Sequence, residues 1–145
     1  MRFMIIRRAD ANTESEGDNK PSAELMDAMA AYNMEMMKAG VFLAGDGLHP
    51  SRKGARVRIE RDGAKPAVID GPFAETKELI AGFTMIQVGS REEALDWVLR
   101  WPKEDGPVDL ELRQVYELSD FEVSEESKSE TWRAMERAFQ DMKPG

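Results

Sequence analysis

Asp70-Gly71-Pro72-Phe73-Ala74-Glu75-Thr76-Lys77-Glu78 is the sharpest break in the chain, and Gly82-Phe83-Thr84-Met85-Ile86-Gln87-Val88 just beyond it reads as a strand. An Asp-Gly-Pro run combines a turn-forming carboxylate, a residue without Cβ and a ring that removes an N–H donor, so a regular element ends there. Ala74 to Leu79 reads as one helical turn or a loop. Upstream of the break, Ala55 to Arg61 alternates, with Val57 and Ile59 on one face and Arg56, Arg58 and Glu60 on the other. Asp62-Gly63 is a hairpin turn, and Pro66 to Ile69 is the short return strand. Downstream, Ser90-Arg91-Glu92-Glu93 is a capping-box pattern opening a helix with Ala94, Trp97, Val98 and Trp101 on one stripe. Pro102 stops that helix, and Val108 to Tyr116 is a last strand.

Working outward to the N-terminus, Val41 to Ala44 is predicted as a strand, with Gly45 to Pro50 as its glycine-broken end and turn. Before it, Leu25, Met29, Tyr32, Met36 and Ala39 recur at helical spacing, Ser22 is the expected cap and Gly40 the left-handed stop. Met26, Met29, Met34, Met36 and Met37 give that helix an adaptable surface suited to packing on a sheet. Phe3 to Arg8 is the first strand, and the polar stretch from Ala9 to Lys20, which includes Glu16, Gly17 and Asp18, is a solvated loop. At the other end, Ser127 and Glu130 suggest a cap for a helix whose stripe is Trp132, Met135, Phe139 and Met142. That stripe is expected to pack back on the domain or on a second subunit.

The resulting order is strand, helix, strand, hairpin, strand, helix, strand, helix. Without the hairpin and the final helix it is βαββαβ, so the expected fold is α+β and ferredoxin-like: a dimeric α+β barrel with an inserted β-hairpin and an extra C-terminal helix. With both helices on one sheet face, a homodimer is expected to cover the other. The expected division is an α+β domain over residues 1–118 and a helical extension over 119–145.

A length of 145 residues favours a single core domain. With 20 Lys+Arg against 28 Asp+Glu the formal net charge is −8, which opposes diffuse binding to phosphate backbones, and nucleic acid is disfavoured as a partner. No apolar run is long enough for a signal peptide or a membrane span, so a membrane is disfavoured and the cytoplasm is the expected compartment. The absence of cysteine removes disulfides and thiolate chemistry, and with a single histidine no zinc site and no cofactor are expected. Neither a dinucleotide or phosphate-binding glycine motif nor a Gly-x-Ser-x-Gly elbow occurs.

The segment Asp70 to Glu78, followed by Ile80-Ala81-Gly82-Phe83, closely resembles the hallmark of the DGPF group of the YCII-related family. Ala39 to Ser51, the hairpin, Ser90 to Trp97 and the strand Val108 to Val115 match the same pattern, so the resemblance covers about residues 2–116. It implies the dimeric α+β barrel, an activity that is largely unassigned, and a pocket holding polar residues. A related branch of the family is associated with a His–Asp pair. The one histidine here, His49, stands in the Leu48-His49-Pro50-Ser51 turn, where the DGPF pattern often has glutamine. That departure weakens a His–Asp reading.

Asp70 is the first candidate for chemistry, since a carboxylate at a strand end can take a proton or hold a polar ligand. It can equally fix its own turn by accepting from backbone amides. Asp46 between two glycines, His49 and Glu75 complete the catalytic candidates, with Asp70 and Glu75 able to divide acid and base roles if they share a pocket. Arg7, Gly71, Pro72, Phe73 and Lys77 are the candidate ligand contacts. Two readings stay open: a protein that binds or transforms a small polar molecule near the Asp-Gly-Pro-Phe loop, or a non-catalytic dimeric accessory or protein-interaction module. Sequence does not decide whether the chain is an enzyme.

Overall fold

In the computed structural model, which describes residues 1–15 and 20–142, the elements follow one another in the expected order. They are β1 (Arg2–Arg8), α1 (Ala23–Lys38), β2 (Phe42–Gly47), β3 (Ala55–Arg58), β4 (Ala67–Asp70), β5 (Ile80–Gln87), α2 (Arg91–Leu99), β6 (Leu110–Gln114) and α3 (Glu130–Met142). Residues 16–19 of the expected solvated loop lie outside the described residues. Met1–Gln114 form one compact unit and Val115–Gly145 a second.

In the first unit, β2-β5-β1-β6 make a four-stranded antiparallel sheet in that order, while β3 and β4 pair only with each other. The expectation of a dimeric closed barrel is corrected here. The four-stranded sheet is open, with β2 and β6 as unpaired edges, and the hairpin forms a separate two-stranded sheet that closes nothing. Closure requires the edge strands to bond each other. The sheet face away from the helices carries Met4, Ile6, Phe83 and Met85 together with Glu111 and Arg113, all but Arg113 half-buried. The expected homodimer therefore finds no support in this arrangement.

The core lies on the opposite face. Phe3 and Ile5 of β1 and Ile86 of β5 pack with Tyr32 and Met36 of α1 and with Ala94 and Trp97 of α2. Helix α1 forms where the apolar stripe demanded it: the Ser22 hydroxyl accepts from the Leu25 N–H, and Gly40 turns the chain at φ 73°. Helix α2 has the expected Ser90 cap, accepting from the Glu93 N–H at 3.1 Å, but the Glu93 carboxylate reaches one residue farther back, to the Gly89 N–H at 2.9 Å. The Tyr32 hydroxyl ties the helices together, donating to the Trp97 carbonyl at 2.6 Å. Burial pushes that phenol up to about 12.

Three local expectations are revised. Strand β2 continues through Gly45, Asp46 and Gly47 and does not turn there, because β5 pairs with it as far as Gly82. Asp70 is the last residue of β4, paired with Ala55, and is not the start of the turn. The cap of α3 is Ser129, whose hydroxyl accepts from the Trp132 N–H at 3.0 Å, while the Ser127 hydroxyl accepts from the Ser124 hydroxyl at 2.8 Å. Within the second unit, Tyr116 stacks on Phe121 and Phe121 meets Trp132 edge-on. Lys128 bonds both Glu125 and Glu136 at 2.8 Å. Phe139 and Met142 remain exposed, so only the first half of the α3 stripe is covered. No helix among the described residues is long and apolar enough to cross a membrane.

Candidate functional site

Antiparallel pairing sets two rows of residues side by side on the helix-facing side of the sheet. One row is Gly47, Gly82, Arg7 and Leu110, and the next is Gly45, Thr84, Ile5 and Leu112. Three of the four positions contributed by β2 and β5 have no side chain. The first half of α1 arches over that bare patch, and a cleft of about 440 Å³ is left between them. Leu25, Met26, Met29 and Ala30 form its roof, and Trp101 its side wall. The lining is mainly apolar, as in many small-molecule sites.

The polar groups of the cleft converge at one end. Arg7 is held by Asp105 through two bonds, Nε to Oδ2 at 3.1 Å and Nη2 to Oδ1 at 2.9 Å. Its Nη1 donates to Asp10 at 3.0 Å and to the Arg8 carbonyl at 2.7 Å. The Trp101 indole N–H donates to the same Asp105 carboxylate at 3.0 Å. Burial works against the Arg7 charge, but its bonds to Asp105 and Asp10 outweigh it, and its pKa lies above the ordinary value. Asp10 is moved the other way: desolvation is overcome by bonds from the Thr13 amide and from Arg7, which hold it below the usual carboxylate range. Four of the five Arg7 N–H groups are thereby used; the second N–H of Nη2 has no partner among the described residues, and Arg7 is part of the cleft lining. Thr84, at 4% exposure, lines the cleft, and its hydroxyl has no hydrogen-bond partner among the described residues.

Of the candidates read from sequence, the structure brings Arg7 and Asp46 to the cleft. Asp46 belongs by strand alternation to the opposite face, beside Phe83, and so stands at the rim. Asp70, His49, Glu75 and Lys77 are exposed and line no part of the cleft. Asp70 makes no side-chain hydrogen bond among the described residues, so its own turn does not consume it either. Glu75 adopts a left-handed conformation, φ 61°, ahead of a single 3₁₀ turn, Thr76–Glu78. The Lys77 carbonyl accepts from the Arg8 guanidinium.

The Asp-Gly-Pro-Phe loop itself is fastened to the turn around Ser51. The Gly71 N–H donates to the Gly54 carbonyl at 3.0 Å, and the Phe73 N–H to the Ser51 hydroxyl at 3.1 Å. Ser51 in turn donates from its N–H and its hydroxyl to the Glu14 carboxylate, the latter at 2.6 Å. The Arg56 guanidinium lies 4.1 Å above the Phe73 ring. Pro72 is exposed between these anchors. The loop is thus a clasp joining three segments, remote in composition from the cleft.

Sequence reasoning missed Thr84, Asp105 and Trp101. Thr84 sat unremarked inside a strand run, and Asp105 lies in the stretch between Pro102 and Val108, for which the sequence suggested no role. The readable signal was the coincidence of Gly45, Gly47 and Gly82, which only strand pairing brings together. No group of three or more potential metal-binding side chains occurs among the described residues.

Among solved structures, the chain is similar to 5-chloro-2-hydroxyhydroquinone dehydrochlorinase from Burkholderia phenoliruptrix AC1100, in complex with 2,5-dihydroxybenzoquinone. The identity is 12%, the TM-score 0.37, and the match covers 83% of this chain and 98% of that one. Among curated proteins, an uncharacterised protein of Rhizobium meliloti (strain 1021) is 30% identical over 97 residues, which are 67% of this chain and 77% of that protein. Residues 1–119 match the family model of the YCII-related domain, and the chain belongs to the YCII-related family.

Proposed function

We propose that the protein binds a small molecule in the cleft between α1 and the sheet. The observation that carries this reading is the bare floor: Gly45, Gly47 and Gly82 leave a cleft of about 440 Å³ in the helix-facing side of the sheet, next to the buried core. That volume suits a molecule of roughly ten to twenty heavy atoms.

The lining favours binding over turnover. Its ionisable groups are Arg7, Asp46 and Asp105. Asp105 accepts three hydrogen bonds, two of them from a guanidinium, so its oxygens are already engaged by protein donors. No histidine, lysine or tyrosine adjoins the cleft among the described residues.

Gly47 offers a clean test. A Cβ built there meets nothing nearer than the Ala81 carbonyl at 4.0 Å, so a side chain can enter the cleft without displacing backbone. Gly47→Val is expected to keep the fold, with stability raised by about 0.5–1 kcal/mol as strand glycine is replaced, and to abolish binding. Binding is followed by the indole N–H resonance of Trp101 during titration with acetophenone and ethylbenzene. Failure of both probes to move that resonance in the unaltered protein, or equal shifts in the valine variant, would overturn the reading.

A further inference from the structure

Resting on that reading, we infer that the ligand is a neutral, mostly apolar molecule carrying an oxygen acceptor, and that the Thr84 hydroxyl recognises this oxygen with the open Arg7 N–H beside it. The first ground is a donor that no protein group engages. Thr84 is 4% exposed, belongs to the row Gly45–Thr84–Ile5, and its hydroxyl has no partner among the described residues. The hydroxyl is not one of the fully enclosed side-chain atoms that lack a partner, so within an otherwise buried residue it stays accessible to the cleft. A ligand oxygen that accepts from it replaces solvent there, whereas a valine would fill the same volume and offer no donor.

The second ground is charge. An arginine in a pocket ordinarily signals an anionic ligand. Here the guanidinium faces two carboxylates, Asp105 and Asp10, and Asp46 stands at the rim. One positive charge against two negative ones leaves the polar end of the cleft net negative before any ligand enters. A carboxylate or phosphate would meet that net negative charge, and could pair with Arg7 through two bonds only by displacing Asp105, which the Trp101 indole also holds. A cation, for its part, would meet Arg7, while Leu25, Met26, Met29 and Trp101 supply apolar surface that gives a charged group no hydration. A carbonyl, ether or hydroxyl oxygen fits both open donors without disturbing the ion pair.

The test titrates acetophenone, benzoate, benzylammonium and ethylbenzene into the full chain and into Thr84→Val and Thr84→Ser, reading Trp101 and main-chain amide resonances around residue 84. Acetophenone is expected to bind at least tenfold more tightly than benzoate or benzylammonium. Thr84→Val is expected to weaken acetophenone about five- to tenfold, leave ethylbenzene unchanged or tighter, and be rescued by Thr84→Ser. If a charged probe matches acetophenone, or Thr84→Val weakens acetophenone and ethylbenzene alike or neither, the recognition scheme fails while the cleft remains a binding site. If no probe binds, the cleft reading and this inference fail together.

Discussion

Gly71 has no room for a side chain. A Cβ there would stand 1.8 Å from the Ser51 carbonyl oxygen and 2.5 Å from its carbon, both main-chain atoms that no rotamer change can move. The Asp-Gly-Pro-Phe glycine is therefore explained by close approach of two backbones. Gly71→Ala is expected to destabilise the protein by about 2 kcal/mol and to break the Phe73 N–H bond to Ser51. A urea midpoint within error of the unaltered protein would refute this. The hallmark's glycine and phenylalanine were legible in sequence as a specific feature, and their partner was not. Nothing in Leu48-His49-Pro50-Ser51 announces that its serine receives an amide from a loop 22 residues on. Asp70, the most attractive carboxylate by pattern, ends a two-stranded sheet in the open.

At the scale of elements, helical spacing was the most readable signal, because a stripe every three or four residues has one interpretation. Leu25, Met29, Tyr32 and Met36 face inward as read, with Tyr32 and Met36 buried, whereas Ala39, the last residue of that stripe, is the exposed C-cap. Strand β2 was harder: Gly45 and Gly47 are turn formers taken alone, and only their pairing with Thr84 and Gly82 makes them strand residues. The contact between α1 and α2 carries its own prediction. Tyr32→Phe removes the bond to the Trp97 carbonyl and is expected to cost about 1 kcal/mol at neutral pH. Because the folded phenol is raised to about 12, its protonated form is favoured on folding. The contribution is whole below the unfolded tyrosine range, near pH 10, and is lost as pH rises through the folded value. Urea unfolding of the unaltered protein between pH 9 and about pH 11 should show falling stability with a smaller slope in the phenylalanine variant. Identical slopes would contradict the assignment to Tyr32.

For the whole molecule, the distribution of the core is decisive. Every residue of the buried cluster lies between Phe3 and Trp97, and the partly buried residues packed on it end at Leu112. The family match ends at residue 119. We propose on these grounds that residues 1–118 are the autonomous domain and 119–145 an appendage. A chain ending at residue 118 is expected to unfold cooperatively in urea with a midpoint close to that of the full chain, and loss of the cooperative transition would show the division to be wrong. The closed dimeric barrel, by contrast, could not be judged from sequence, since alternation marks which faces are apolar and says nothing of which edge meets which.

The β3–β4 hairpin bears on how this protein can change over time. Its residues are exposed on both faces, Val57 and Val68 included, and it bonds to no strand of the main sheet. Its amides can open to deuterium by local fraying without unfolding the core, on a free-energy scale of its own. Drift in its sequence is thus uncoupled from the fitness cost of losing the fold, so long as the Gly71 anchor is kept, and related chains can vary this arm while the cleft, which shares no residue with it, stays fixed.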